Sequence, residues 1–110
     1  MIRVVNKRCK YVPMANEVLV YVGRPSILGN PFPMRGEEDR DYVVAQYRQW
    51  LDAQRRTNSA AWREVKRLAA LSAEGKSLAL QCYCAPRKCH ADVIKSAIEY
   101  INNRGHHGLA

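Results

Sequence analysis

Two short apolar runs constrain the fold of this chain more than any other feature. They occupy residues 17–22 and 77–82, with 54 residues between them. The first run, Glu17 to Val22, is continuously apolar after its first residue and ends at Gly23, as expected for a strand buried on both faces. The intervening segment contains two amphipathic helical patterns. Strands joined through helices are normally parallel, so we expect the two runs to be parallel neighbours in one sheet.

The remaining elements follow from hydrophobic spacing and from helix start and stop signals. One helix is expected from about Arg40 to Arg55, and a second between the cap signal at residues 57–59 and Gly75. The last helix should run from about His90 to Asn103, and residues 2–9 form a first strand. The order β-β-α-α-β-α predicts a single small α/β domain over residues 1–104, with a short, largely parallel sheet flanked by helices. Residues 105–110 are expected to form a flexible tail.

The predicted core combines the apolar runs with the apolar faces of the helices. Its members are Val18, Val20, Val22, Tyr47, Trp50, Leu51, Leu78, Leu80, Ile94 and Ile98.

This topology has a consequence for function. Ligands of open α/β sheets bind outside the carboxyl ends of parallel strands. The first apolar run leads into Gly23-Arg24-Pro25, and the second leads into Cys82-Tyr83-Cys84. We therefore expect these two distant motifs to face one crevice.

The loop at residues 23–33 contains glycines, which allow backbone conformations closed to other residues, and three prolines, which stiffen it. Arg24 offers a planar fork for phosphate or carboxylate, and Ser26 and Asn30 supply hydrogen bonds. Phe32 presents a flat face to a base or fills the core. The loop lacks the glycine patterns of Walker and Rossmann phosphate sites. A purely structural turn is the alternative interpretation.

Three cysteines and a histidine fall within residues 82–90, and they permit three interpretations. Cys82, Cys84, Cys89 and His90 could ligate Zn²⁺, although the C-x-C-x4-C-H spacing is not the usual C-x2-C. Alternatively, Cys89 is a catalytic thiolate, activated by the helix N-terminus and by Arg87 and Lys88, with His90 as acid or base. Arg87 is also a candidate ligand-binding residue. In the third interpretation the cluster only packs and caps the helix.

Composition limits the partners and the compartment. Eighteen Lys and Arg against ten Asp and Glu give a net charge of +8, which makes this a basic protein and favours a polyanionic partner such as a nucleotide or nucleic acid. The chain has neither an 18-residue apolar run nor a signal-peptide pattern at its start, so we expect no membrane partner. A reducing cytoplasm is the expected location, with the cysteines as thiols or metal ligands.

Two patterns together carry a family resemblance. Val-Tyr-Val-Gly-Arg-Pro-Ser-x-Leu-Gly-Asn-Pro-Phe covers residues 20–32, and Leu-x-Cys-x-Cys-x-Pro-x-x-Cys-His-x-Asp-Val covers residues 80–93. Between about residues 18 and 98 the chain resembles an uncharacterised family described only as a domain of unknown function, which is frequent in bacteriophages and bacteria. The resemblance implies a phage or bacterial intracellular protein with one site built from both motifs. It supplies no reaction.

Two functional hypotheses remain at this point. The first is an enzyme or binding protein for a nucleotide-like, phosphate-bearing ligand at the shared crevice. The second is a non-enzymatic, zinc-stabilised basic module that binds nucleic acid or a host protein. The second hypothesis predicts a convex basic face that carries Arg55, Arg56, Arg63 and Arg67.

Overall fold

The computed structural model describes the backbone of residues 1–108 and the side chains of residues 1–104. It contains three strands and three helices in the order that the sequence predicts, β-β-α-α-β-α, and it confirms the α/β class. Short 3-10 turns follow the first strand at Lys7–Cys9 and precede the first helix at Glu37–Asp39. The elements are β1 (Ile2–Asn6), β2 (Glu17–Tyr21), α1 (Arg40–Thr57), α2 (Ala60–Ala73), β3 (Ser77–Cys82) and α3 (His90–Gly108).

The three strands form one parallel sheet in the order β1-β3-β2. The central strand β3 pairs with β2 from Ser77 to Gln81 and with β1 from Leu78 to Cys82. The prediction that the two apolar runs are parallel neighbours is confirmed. All three strands therefore end at the same edge of the sheet, and the segments that follow them meet there.

The register assigns the side chains of each strand to two faces. Leu78 has Ile2 and Val18 as partners on its two sides, and these residues pack in or against the core. Leu19 belongs to the opposite face and is 36% exposed. The expectation that β2 is buried on both faces was wrong, because β2 is an edge strand and the core covers only one of its faces.

The core lies between the sheet and the helices. Seven of the ten predicted core residues are buried, and three are only partly buried and pack against the core. Two of these three lie on the edge strand β2, and the third is a large indole that keeps part of its ring in solvent. The buried ones are Val22, Tyr47, Leu51, Leu78, Leu80, Ile94 and Ile98, and the partly buried ones are Val18, Val20 and Trp50.

The helix ends follow the local sequence signals. Asn58 has a φ of 48° and ends α1, and the Ser59 hydroxyl accepts a hydrogen bond from the backbone N–H of Trp62 at 3.4 Å to begin α2. Helix α3 continues to Gly108, past its expected end at Asn103. The flexible tail stays a prediction, since residues 109–110 lie outside the described residues. None of the described helices combines the length and the apolar character that crossing a membrane requires.

Candidate functional site

A cavity of about 310 Å³ lies where the loops after β2 and β3 meet the starts of α1 and α3. The two motifs singled out in the sequence, more than fifty residues apart, both line it. The lining residues are Gly23, Arg24, Asn30, Phe32, Met34, Arg40, Val43, Val44, Cys82, Tyr83, Cys84, Lys88, Cys89 and His90.

The loop after β2 is held in shape by its own backbone. The N–H of Ser26 donates to the Gly23 carbonyl at 2.8 Å, and the N–H of Gly29 donates to the Ser26 carbonyl at 2.9 Å. A Cβ at Gly29 would lie 3.0 Å from the backbone of Arg24, so the glycine permits the loop to close on itself. The buried Tyr47 hydroxyl donates to the Leu28 carbonyl at 2.7 Å and fastens the loop to α1.

Arg24 begins this loop and is exposed at the cavity. Its carbonyl accepts a hydrogen bond of 2.7 Å from the Tyr21 hydroxyl, which fixes the backbone from which the side chain extends. Among the residues that the structure describes, the Arg24 guanidinium has no carboxylate partner within ion-pair distance. It therefore keeps its full set of donors for an anion.

His90 joins the start of α3 to the end of β2. Its Nε2 lies 2.7 Å from the carbonyl oxygen of Val22, so Nε2 carries the proton and donates it. Burial lowers the pKa of His90, which keeps the ring neutral near pH 7. The neutral ring then has Nδ1 as an acceptor, and within the described part of the chain Nδ1 has no hydrogen-bond partner. The ring also meets that of Tyr47 edge-on, at 5.1 Å between centroids.

Cys82 and Cys89 form a buried pair of thiols, with 3.2 Å between the sulfur atoms. A hydrogen bond from the Cys89 thiol lowers the pKa of Cys82 below that of a free thiol, and the backbone N–H groups of Cys84 and Ala85 act in the same direction. The pKa of Cys89 is raised, first because its thiol is held by Cys82 and then because it is buried. The Ala91 N–H at the start of α3 lies 3.4 Å from the Cys89 sulfur and acts against these two effects, because it lowers the pKa of Cys89. Since Cys82 receives a thiol and two backbone donors, it is the thiolate of the pair.

Arg40 connects α1 to the loop after β3. It forms a two-point ion pair with Glu37, at 2.8 and 2.7 Å, and donates to the Lys88 carbonyl at 2.7 Å. The same pairing with Arg40 lowers the pKa of Glu37 to about 2. Arg87 binds Glu37 at 2.7 Å from the other side. The loop at residues 83–88 is therefore held against α1 by charge as well as by the chain.

The comparisons with known proteins concern nearly the whole chain. It matches the family described as Domain of unknown function (DUF4326) over residues 4–100. The chain belongs to this family. No curated protein and no solved structure matches it.

The cavity of this DUF4326 chain collects most of the residues proposed from the sequence. Arg24, Asn30 and Phe32 line it, and the Asn30 side chain also accepts the Phe32 N–H at 2.9 Å. Ser26 does not line the cavity, and its buried Oγ has no hydrogen-bond partner among the described residues. Arg87 is likewise outside it, where it pairs with Glu37. The binding and catalytic roles of all these residues stay predictions.

The four candidate metal ligands, Cys82, Cys84, Cys89 and His90, all line the cavity. Within residues 1–104, no three His, Cys, Asp or Glu side chains are arranged so that they could hold a metal ion. Two thiolates on one tetrahedral zinc would lie about 3.8 Å apart, given Zn–S bonds of about 2.3 Å. The Cys82–Cys89 separation of 3.2 Å is that of a hydrogen-bonded pair. Zinc stays a prediction.

Two residues of the DUF4326 site, Asn6 and Arg40, were not identified from the sequence. Asn6 follows from the same topological rule, because β1 ends at the same edge, and its amide donates to the Ala85 carbonyl at 2.7 Å and the Tyr83 carbonyl at 3.3 Å. Arg40 lines the cavity from the first turn of α1, whereas Lys88, named from the sequence as a cation near Cys89, lines it from the loop before α3. A charged residue in a first helical turn has no sequence signal that separates a site residue from a surface one.

The arginines expected on a convex basic face are largely engaged within their own helices. Arg55 and Arg56 both bind Asp52, at 2.9 and 2.8 Å, and Arg67 binds Glu64 at 2.7 Å. The Arg63 guanidinium donates to the Asn58 carbonyl at 2.8 Å. These contacts reduce the positive field that the second hypothesis assigns to this face.

Proposed function

We propose that this protein binds, or acts on, a nucleotide-like ligand that carries phosphate, in the cavity at the carboxyl edge of the sheet. The observation that carries the proposal is the charge of the lining. Arg24, Arg40 and Lys88 line the cavity, and no carboxylate does so among the described residues. Arg40 pairs with Glu37 and Lys88 with Asp41, both outside the lining, so Arg24 is the lining cation whose charge has no carboxylate partner within the described chain. A phosphate is an anion that such a forked guanidinium binds well.

The position of the cavity supports the same ligand class. The start of α3 borders it at Cys89 and His90, and the positive end of a helix dipole attracts phosphate. Phe32 and Tyr83 add aromatic surface to the lining, on which a base can stack. About 310 Å³ is near the lower end of the range for small-molecule sites, which favours a mononucleotide over a dinucleotide.

The cysteine–histidine group would then lie beside the bound ligand. His90 is neutral and has Nδ1 as an acceptor, which suits a general base, and the pair Cys82–Cys89 holds a thiolate at the same cavity. The sequence named Cys89 and His90 as the catalytic pair. The direction of the pKa shifts favours Cys82 over Cys89 as the anionic sulfur, so any nucleophilic role is assigned to Cys82.

Replacement of Arg24 by Ala tests the proposal. We expect the affinity for the preferred nucleotide to fall by about 1.5–3 kcal/mol, or about 10- to 150-fold in Kd, because a charge-assisted hydrogen bond to phosphate is lost. The fold should be unchanged, since the Arg24 side chain is exposed and unpaired within the described chain. A thermal-shift screen of ribonucleoside and deoxyribonucleoside mono-, di- and triphosphates selects the ligand, and calorimetry then measures Kd.

The matched control is Arg48→Ala. Arg48 is also exposed, on α1, about 12 Å along the helix from Arg40, and it does not line the cavity. We expect this variant to bind the nucleotide as the wild type does. Failure of every nucleotide to stabilise the wild type would reject the proposal, and so would an equal loss of affinity in both variants.

The second candidate, a zinc-stabilised module, has one specific observation in its favour. The His90 Nε2–H bonds to the Val22 carbonyl, and zinc-ligating histidines commonly donate their second nitrogen to a backbone carbonyl in this way. If zinc binds here, we expect about one molar equivalent, with ligands drawn from Cys82, Cys84, Cys89 and His90. Elemental analysis checks this. Less than about a tenth of an equivalent, with a melting temperature that chelation does not change, contradicts it.

The proposal includes a cytoplasmic setting in a bacterial or phage-infected cell. Its support is the four cysteines, which are free thiols in this fold although two of them lie in contact. Free thiols in contact persist where the surroundings are reducing.

A further inference from the structure

A second surface adjoins the cavity at the same edge of the sheet. It consists of Lys7 and Arg8 after β1, Tyr21 at the end of β2, and Tyr83 after β3. We call these four residues the ledge. Each strand of the sheet thus contributes to it, although the residues are distant in sequence.

On the ledge each cation lies over one aromatic ring, and the two rings contact each other. The Lys7 ammonium lies 4.9 Å from the centroid of the Tyr21 ring, and the Arg8 guanidinium lies 5.5 Å from that of Tyr83. The two rings meet edge to face, with 6.2 Å between centroids and 83° between planes. Lys7 and Arg8 are exposed, and Tyr83 is 48% exposed, so the ledge presents both charge and flat apolar surface to solvent.

Asn6 holds the ledge together. Its side-chain oxygen accepts the Arg8 N–H at 2.8 Å, while its amide donates to the Tyr83 and Ala85 carbonyls. The turn that carries the two cations is thereby fixed against the loop that carries Tyr83. The side chains of the ledge therefore extend from a rigid backbone, which reduces the entropy that a partner must overcome on binding.

The ledge is continuous with the cavity. Tyr83 belongs to both, and the Tyr21 hydroxyl binds the backbone of Arg24, which lines the cavity. Lys7, Arg8 and Arg24 have no carboxylate partner within the described part of the chain, whereas the arginine pair of α1 shares Asp52. The uncompensated positive charge at this edge thus follows a line from the ledge into the cavity.

We propose that the ledge binds the nucleotides next to the one in the cavity, so that the ligand is single-stranded nucleic acid. Surfaces that bind single strands combine a basic track for the backbone with aromatic rings on which bases stack. Lys7 and Arg8 would contact phosphates, and Tyr83 would stack with a base. The inference rests on the proposed function only for the nucleotide that occupies the cavity. Single-stranded DNA and RNA share this chemistry.

Single strands fit better than a duplex for a physical reason. The bases of a duplex are stacked on each other, so their faces cannot reach an aromatic side chain. On the ledge the Tyr83 ring is 48% exposed, and it can stack only with a base that is itself unstacked. A duplex bound by charge alone would not depend on Tyr83.

The test compares the binding of single-stranded oligonucleotides with that of the preferred mononucleotide. Fluorescence anisotropy of short DNA and RNA strands, against the matched duplex, is measured across a salt series for the wild type and for Lys7→Ala/Arg8→Ala. We expect the variant to bind single strands at least about tenfold more weakly. Its salt slope should be smaller by about 1.4, which is two phosphate contacts at about 0.7 each. Mononucleotide binding should be unchanged.

Arg55→Ala/Arg56→Ala is the control. It removes the same charge from α1, at residues about 22 Å along the helix from Arg40, and should leave binding unchanged.

If the control loses affinity and salt slope as the ledge variant does, binding follows net charge and the proposal is wrong. Duplex binding as tight as single-strand binding also overturns it. Mononucleotide binding without any gain for an oligonucleotide rejects the ledge and leaves the proposed function standing. Oligonucleotide binding that needs the ledge but no mononucleotide binding rejects the proposed function alone.

Discussion

At the scale of single residues, the pair Cys82–Cys89 is the most consequential arrangement. In the folded protein the pair shares one proton near neutral pH, because the pKa of Cys82 is lowered while that of Cys89 is raised. In the unfolded chain both thiols titrate near their ordinary values, about 8.5. The folded and unfolded states therefore bind different numbers of protons over a defined pH range, and stability must depend on pH there.

We predict that this pair makes the protein more stable as the pH rises through neutrality toward about 8.5, the ordinary pKa of a thiol. Over that range the unfolded state binds the additional proton of Cys82, so raising the pH favours the folded state by at most about 1.4 kcal/mol per pH unit. Above about 8.5 the unfolded chain releases both protons while Cys89 keeps its own, and the trend reverses. Urea unfolding of the wild type and of Cys82→Ser at several pH values measures the difference.

Cys9→Ser is the control for this experiment, because Cys9 is exposed and distant in sequence from the pair. Its unfolding free energy should follow the wild type at every pH. A Cys82→Ser variant whose pH dependence also matches the wild type would mean that the thiolate is not on Cys82.

The sequence could not reveal this pairing. In a strand that continued to Cys84, Cys82 and Cys84 would point to the same face, which gives no indication of a contact between Cys82 and Cys89. The strand ends at Cys82, and the following loop turns back so that Cys89 becomes its partner. A turn of this kind depends on contacts with Asn6 and Arg40, which lie far away in the sequence.

At the scale of elements, the start of α3 is stabilised by a reciprocal cap. The Asp92 carboxylate accepts the backbone N–H of Cys89 at 2.9 Å, and the Cys89 sulfur accepts the Ala91 N–H at 3.4 Å. This resembles a capping box in which a cysteine takes the place of serine or threonine. The cap fixes where α3 begins, and therefore where Cys89 and His90 lie beside the cavity.

We predict that Asp92→Ala lowers the unfolding free energy by about 0.5–2 kcal/mol, the usual cost of losing a helix cap. It should also weaken nucleotide binding, because the helix start that borders the cavity becomes frayed. Glu99→Ala is the control, since Glu99 is an exposed acid on the same helix and outside the first turn. Chemical denaturation and calorimetry measure both effects. Equal stability of the two variants would show that the cap contributes nothing.

The sequence was most informative about the helices and strands. The spacing of Val43, Tyr47 and Leu51 specified the buried face of α1, and the gap between the apolar runs specified a parallel crossover. The sequence could not predict that β2 is an edge strand, because the strand order β1-β3-β2 depends on pairing between residues far apart in the sequence. A continuous apolar run therefore overstated the burial of Leu19.

At the scale of the whole molecule, the site is joined to the core through the sheet. The Val22 N–H donates to the Gln81 carbonyl at 3.0 Å and extends the β2–β3 pairing into the first loop. The Val22 carbonyl then accepts the hydrogen bond of His90 from α3. Because Val22 is fully buried, neither contact can open unless the core also opens. Motif recognition located the two halves of the site, but only the fold supplies this connection.

This connection predicts that the site and the core unfold together. Trp50 and Trp62 report on α1 and α2, and the ultraviolet absorbance of the Cys82 thiolate reports on the site at a pH near 7.5. Unfolding raises the pKa of Cys82 to its ordinary value, so the thiolate signal disappears when its environment is lost. We expect the two signals to give coincident transitions in urea, as two-state unfolding requires. Cys82→Ser supplies the absorbance baseline, because it lacks the thiolate signal; its tryptophan transition is measured separately. Loss of the thiolate at a lower urea concentration would contradict the prediction, since the loops would then open independently of the core and the site would not be rigid before its ligand binds.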